Sequence, residues 1–349
     1  MTEDSFLESV TLLGAVPARE ARKRINRGWL ARAFQRQYLQ SLHDYRFFYD
    51  DLAEAGDPEE AEYVFYFVPG LNGVPGQMRF LLPSLVRVFG RRIYLKALYI
   101  PEFSAMRPIW EKYRVENIER KLAQLRHDLK ELLDRFERVT VLASSNGFYD
   151  FAAAAGDFDA ATLRDRVHLI WGACAPDRIE PSPWERVFFP LSGFELEGHR
   201  WFAYPNHNAL QALNPEATTG FAWREAGQHR HFVKMDLESR FRFLGLEWGF
   251  VSTTRLNEAV RYVVRQIDGP LELDSEALVA AQDGYWSGKP IRAMAEKIRS
   301  YLPNSRLLIK PASHLWVATP TYVTEVMQHV RQRVPPLTER CAASSVAFA

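Results

Sequence analysis

The sequence predicts an α/β protein built on a mostly parallel central sheet flanked by helices, with an aromatic-rich segment inserted into it. Three observations predict this class. Short apolar runs suited to buried strands alternate with helical periodicity from residue 43 to 176 and again from 270 to 349. The run Tyr63-Val64-Phe65-Tyr66-Phe67-Val68 is almost continuously apolar, as expected of a strand covered on both faces of a parallel sheet. The stretch Val139 to Phe151, VTVLASSNGFYDF, reads as a strand, a sharp turn with a serine at its tip, and a helix.

Residues 1–42 form an N-terminal extension. Arg19, Arg22, Lys23, Arg24, Arg27, Arg32 and Arg36 accompany an apolar stripe of Ile25, Trp29, Leu30, Phe34 and Tyr38 near helical spacing. A basic amphipathic helix of this kind can lie on a membrane surface or pack on its own domain or on a second subunit. The near-neutral charge of the whole chain favours packing, so membrane contact is not expected and a homodimer is compatible with the pattern. Tyr45 to Leu52 reads as a strand, and Ala53 to Ala61, with Gly56 and Pro58, as a turn. After the apolar run at 63–68 comes Pro69-Gly70-Leu71-Asn72-Gly73-Val74-Pro75-Gly76, whose glycines permit the close backbone approach an anion-binding turn needs, although an ordinary strand-to-helix loop would look the same. Phe80 to Val88 suggests a helix and Ile93 to Ile100 a strand. Glu116 to Phe136 is the clearest helix, with Ile118, Leu122, Leu125, Leu129, Leu132 and Phe136 recurring every three or four residues. Val167 to Trp171 adds a strand, ended by Gly172-Ala173-Cys174-Ala175-Pro176.

From residue 177 to 269 the strand–helix rhythm lapses and large aromatics crowd in, among them Trp184, Phe188, Trp201, Tyr204, Trp223 and Trp248. These can wall an apolar pocket or form a core of their own. Ala277 to Gln282 then reads as a strand ending at Asp283, Ile291 to Leu302 as a helix, Arg306 to Lys310 as the last strand, and Pro320 to Val334 as the closing helix. The division is therefore an extension at 1–42, a core at 43–176, an insertion at 177–269 and the rest of the core at 270–349.

The totals exclude several classes. A formal net charge of +1, with 25% charged and 47% hydrophobic residues, does not fit a nucleic-acid binder or a disordered chain. Two cysteines, Cys174 and Cys341, are too few for a disulfide framework and read as free thiols in a reducing compartment. MTEDSFLESV is acidic where a signal peptide is basic, and a cytoplasmic protein is expected. His229, Arg230 and His231 have no carboxylate or cysteine at a recognisable ligand spacing, so a zinc site is not expected.

Chemistry is concentrated at Ala143-Ser144-Ser145-Asn146-Gly147. A nucleophile on a sharp strand-to-helix turn needs small residues two before and two after it. Ala143 and Gly147 meet that requirement for Ser145, whereas Ser144 would put Leu142 and Asn146 in the crowded positions. Taken alone, the same residues are equally an ordinary serine-rich loop.

Four stretches, taken together and in order, resemble the α/β-hydrolase superfamily: Tyr63 to Gly73, Ala143 to Gly147, Ala277 to Asp283, and Arg306 to Lys310 followed by Ser313-His314-Leu315-Trp316. The order Ser, acid, His is the one expected of that fold. The resemblance implies an α/β-hydrolase fold with residues 177–269 as its cap. It further implies a triad of Ser145, Asp283 and His314, and an oxyanion hole from the backbone N–H groups of Leu71 and Asn146. Asp283 is a better acid than Asp268, Asp274 or Glu276, because catalytic groups gather beyond the carboxyl ends of parallel strands. One departure is Pro69, where the superfamily usually has a histidine. The implied function is hydrolysis of a carboxylic ester or thioester of a small-molecule substrate with an apolar acyl or aromatic moiety, without metal or organic cofactor. The same fold and triad also serve acyl transfer to other acceptors and carbon–carbon bond cleavage, and a non-catalytic binding protein could keep the scaffold. Phe148 and Tyr149, bulky just after the turn, leave room for such divergence.

Overall fold

Seven strands form the central sheet of the computed structural model. It describes residues 53–70, 78–101, 113–178, 194–196, 199–205, 248–251, 253–281, 290–312, 316–318 and 320–337. In chain order its elements are β1 (Glu54–Ala55), β2 (Tyr63–Val68), α1 (Met78–Phe89), β3 (Ile93–Ala97), α2 (Val115–Arg135), β4 (Val139–Ser144), α3 (Gly147–Ala155), α4 (Ala160–Arg166) and β5 (Val167–Gly172). They continue with β6 (Phe194–Leu196), β7 (His199–Pro205), β8 (Trp248–Val251), α5 (Thr253–Val264), β9 (Asp274–Ala280), α6 (Ile291–Tyr301), β10 (Arg306–Lys310) and α7 (Pro320–Arg331). A single 3-10 turn, Trp316–Ala318, precedes α7.

The strand order is β1-β3-β2-β4-β5-β9-β10, parallel throughout except for β1, which runs antiparallel to β3. Parallel neighbours need helical crossovers, and these cover both faces. In β2 all six residues are buried: Val64, Tyr66 and Val68 join one core with α2, α3 and α5, while Tyr63, Phe65 and Phe67 join the other with α1 and α7. A period of two with both phases apolar puts the strand in the middle layer.

Several elements differ from the sequence reading. The first described strand is the two-residue β1, inside the stretch read as a turn; Tyr45 to Leu52 lies outside the described residues. Its pairing with β3 makes it a strand although it has no apolar pattern of its own. Helix α4 was not anticipated, yet its start carries an ordinary cap: the Asp159 carboxylate accepts from the Thr162 N–H at 2.7 Å. Within 177–269, β6, β7 and β8 form a separate antiparallel sheet. Helix α5 begins at Thr253, inside the same range, but Leu256, Ala259, Val260 and Val263 are buried in the main core with α2 and α3.

Candidate active site

Strand β4, between β2 and β5, is buried from Val139 to Ala143 and ends at the half-buried Ser144. Ser145 follows with φ +54°, one of two non-glycine residues with positive φ among those described; the other, Ala173, stands just past the end of neighbouring β5. A left-handed residue with a side chain is strained and persists only where its surroundings over-determine it. Here the Ser145 N–H donates to the Gly172 carbonyl at 2.9 Å, and its carbonyl accepts the indole N–H of Trp171 at 3.0 Å. Helix α3 starts two residues later, at Gly147.

The small flanking residues now have a physical cause. Ala143, fully buried, lies in register between Val68 and Trp171. A Cβ on Gly147 would overlap the Val68 carbonyl oxygen and stand 2.7 Å from that of Pro69, so no side chain is tolerated where α3 leaves the turn beside the end of β2. Gly70 approaches from the same side: a Cβ there would be 3.0 Å from Ser145 Cβ and 3.5 Å from its Oγ. The start of the glycine-bearing loop thus faces the serine side chain.

Asn146 occupies the N-cap position of α3 without a side-chain capping bond and is buried, its Oδ1 having no partner among the described residues. No backbone hydrogen bond among the described residues takes up its N–H, as is usual for donors at a helix start, where the macrodipole also favours negative charge. Phe148 and Tyr149 are both buried against β5. Phe148 stacks on Trp171 with ring centroids 3.8 Å apart, and the Tyr149 hydroxyl donates to the Ala175 carbonyl at 2.6 Å. Burial, then the neighbouring Cys174 and Tyr301, push the Tyr149 pKa well above its ordinary value, so it stays a neutral donor. The bulk of these two rings is accounted for by the aromatic packing beneath the turn. Helix α3 is further tied to α2 by a buried ion pair between Asp150 and Lys121.

Leu71, Asp283 and His314 lie outside the described residues, as do His229, Arg230, His231, the basic stretch at 19–36 and Cys341. Beside them the described chain shows β9 followed by Ala281, whose N–H donates to the Lys310 carbonyl at the end of β10. After β10, Ala312 and Trp316 are both fully buried. Trp316 packs on Gly172 so closely that a Cβ there would fall within its indole ring. Sequence reasoning missed Trp171 and Gly172 as parts of this site. An aromatic at a strand end carries no signal that separates a core ring from one bonded to a functional main chain, whereas the glycine ending β5 was visible but read only as a terminator. Among the described residues no group of three or more His, Cys, Asp or Glu could hold a metal ion, and no helix is long and apolar enough to cross a membrane.

A mostly parallel sheet that presents a serine on a strained strand-to-helix turn, at the carboxyl end of a central strand, decides the architecture. The fold is that of the α/β-hydrolases. No protein-family model and no curated protein matches the sequence. Among solved structures, the chain is similar to a protein named as a hydrolase from Agrobacterium vitis S4, with 14% identity, TM-score 0.48, and 80% of this chain and 90% of that one covered. It is also similar to RedJ, a thioesterase from the prodiginine biosynthetic pathway in Streptomyces coelicolor, at 16% identity, TM-score 0.41 and coverage of 80% and 93%. Human thioesterase 2 matches at 13% identity, TM-score 0.36 and coverage of 77% and 94%. Similarities of this size transfer no residue role and no substrate.

Proposed function

We propose that this α/β-hydrolase-fold protein is a serine hydrolase that cleaves a carboxylic ester or thioester with an apolar acyl or aromatic moiety. The observation that carries the proposal is the strained main chain of Ser145, positive in φ at the carboxyl end of β4 and pinned through both its N–H and its carbonyl. Strain of this kind collects at functional sites. In the proposed reaction His314 takes the Ser145 proton as Oγ attacks the acyl carbon, and Asp283 holds the imidazole in the right tautomer and stabilises its charged form. The backbone N–H groups of Leu71 and Asn146 stabilise the oxyanion, each donor contributing about 3–4 kcal/mol in comparable enzymes. Collapse expels the alcohol or thiol, which takes the proton from His314, and water activated by the same base then releases the acid from Ser145. The chemistry calls for no metal or organic cofactor.

The close approach of Gly70 to Ser145 Oγ supports the oxyanion assignment, since Leu71 is the next residue in the chain. The aromatic content of residues 177–269, proposed as the cap, supports an apolar acyl group. Kinetics on activated esters and thioesters of graded chain length test the proposal. Ser145→Ala is expected to lose about a thousandfold or more in kcat, and a variant retaining most of its rate would refute the nucleophile.

A further inference from the structure

Two successive residues of β5 grip the peptide groups of Ser145. The Gly172 carbonyl accepts its N–H at 2.9 Å, and the Trp171 indole N–H donates to its carbonyl at 3.0 Å. That carbonyl also accepts, at 3.4 Å, from the Phe148 N–H where α3 begins. The φ of +54° is therefore held from outside the turn as well as from within the helix. The Trp171 ring has little freedom of its own. It is fully buried, stacks on Phe148 at 3.8 Å and 15°, and meets Tyr149 and Tyr301 edge-on at 5.7 and 6.4 Å. A donor whose ring is fixed on three sides is pre-organised, so its bond acts on the serine without first having to be ordered.

A second tryptophan supplies the contrast. Trp316 is also fully buried and packs on Gly172, next to Trp171, yet its indole N–H has no hydrogen-bond partner among the described residues. A buried indole usually finds an acceptor; among the described residues only Trp171 of this pair does, and its acceptor is the main chain of the strained serine.

We propose that Trp171 is a positioning residue for the nucleophile, its indole N–H holding the Ser145 peptide in the left-handed conformation from which the hydroxyl attacks. This rests on the reading of Ser145 as the nucleophile. The bond acts on the folded site's geometry, so its loss lowers the rate of acylation without weakening substrate binding.

The test compares two identical substitutions in the full-length protein. Trp171→Phe keeps a ring for Phe148 to stack on and removes the N–H bonded to Ser145; Trp316→Phe removes a similar volume and an N–H without a partner among the described residues. The readouts are the second-order rate of Ser145 labelling by a fluorophosphonate, kcat and KM on a p-nitrophenyl ester, and a thermal melt. Trp171→Phe is expected to label about three- to tenfold slower, with kcat reduced by the same factor and KM unchanged, the range set by loss of one hydrogen bond. Trp316→Phe is expected to stay within about twofold of wild type, since the bonds that Trp171 and Gly172 make to Ser145 remain. Equal labelling of Trp171→Phe and wild type, or equal slowing of both variants, overturns the proposal. Should Trp171→Phe fail to fold, 3-benzothienylalanine at position 171 keeps the ring shape and removes the donor: the same slowing supports the proposal and an unchanged rate overturns it. An unlabelled wild type would sink the nucleophile reading and this inference together. A wild type labelled at Ser145 with an equally fast donor-less variant would sink this inference alone.

Discussion

The two ends of β5 are built on opposite principles. At its carboxyl end Trp171 and Gly172 hold a strained serine peptide with uncharged groups only. At its amino end His168 sits in a knot of charge: Nδ1 is 3.2 Å from Asp274, and Nε2 bonds the fully buried Glu276. Arg333, just beyond α7, bonds both carboxylates, 2.8 Å from Asp274, while Arg306 and His329 stand 3.9 Å from Glu276. This knot joins β5, β9, β10 and the end of α7 at the edge of the sheet remote from the serine. Charge pins the frame at the amino ends of the strands, and strain is held at the carboxyl ends, where parallel sheets place their catalytic groups. Substitutions at one end should change stability, and at the other, activity.

The largest expected effect lies at the carboxyl end. Ser145→Ala should remove about a thousandfold or more of esterase activity while leaving the melting temperature within about 2 °C, because Ala keeps the same turn and only one half-buried hydroxyl is lost. At the amino end, Glu276→Ala strands His168 and Arg333 without their buried counter-charge. The expected loss is about 3–5 kcal/mol in urea unfolding, with the Ser145 labelling rate of the folded fraction unchanged. A fall in that rate would break the division between the two ends.

Gly172→Ala should blur the division deliberately. Its Cβ must displace the Trp316 ring, an overpacking expected to lower stability by about 1–3 kcal/mol. Because the Gly172 carbonyl holds the Ser145 N–H, labelling should slow as well. The smallest effect is on pH dependence. Burial is the largest influence on His168 and pulls its pKa down, but the bonds to Asp274 and Glu276 together outweigh it, so the pKa ends above the ordinary 6.5. The folded state then binds the proton more tightly, so this stabilisation is full below pH 6.5 and is lost as pH rises through the raised value. Asp274 works the other way: the His168 bond, then the charges of His168 and Arg333, hold it below 3.8 despite burial, and its contribution disappears as pH falls through that lowered value. Urea midpoints across this range should therefore peak between about pH 4 and 6.5 for this network, and the decline above 6.5 should flatten in Glu276→Ala.

The sheet was readable because buried parallel strands leave runs such as Tyr63 to Val68, and the strand-to-helix turn at Ser145 because Gly147 cannot carry a Cβ against Val68 and Pro69. Both signals are local: the sterics that demand them act within one strand or one turn. The strand order, with β3 outside β2, was not readable, since it depends on which way each crossover winds rather than on any short pattern. The grip of Trp171 on Ser145 spans 26 residues, and the bond from Arg333 to Glu276 spans 57. In each case the residue type suits an ordinary core or surface position equally well, and only the folded neighbourhood reveals its partner. Asp283 and His314 were drawn from the resemblance to the α/β-hydrolase superfamily, and both lie outside the described residues.

Fluorophosphonate labelling followed by peptide mass spectrometry tests the central claim most directly. A single adduct on Ser145, abolished in Ser145→Ala, is the predicted result. An adduct on another residue, or a folded protein that takes up no label at all, would contradict it.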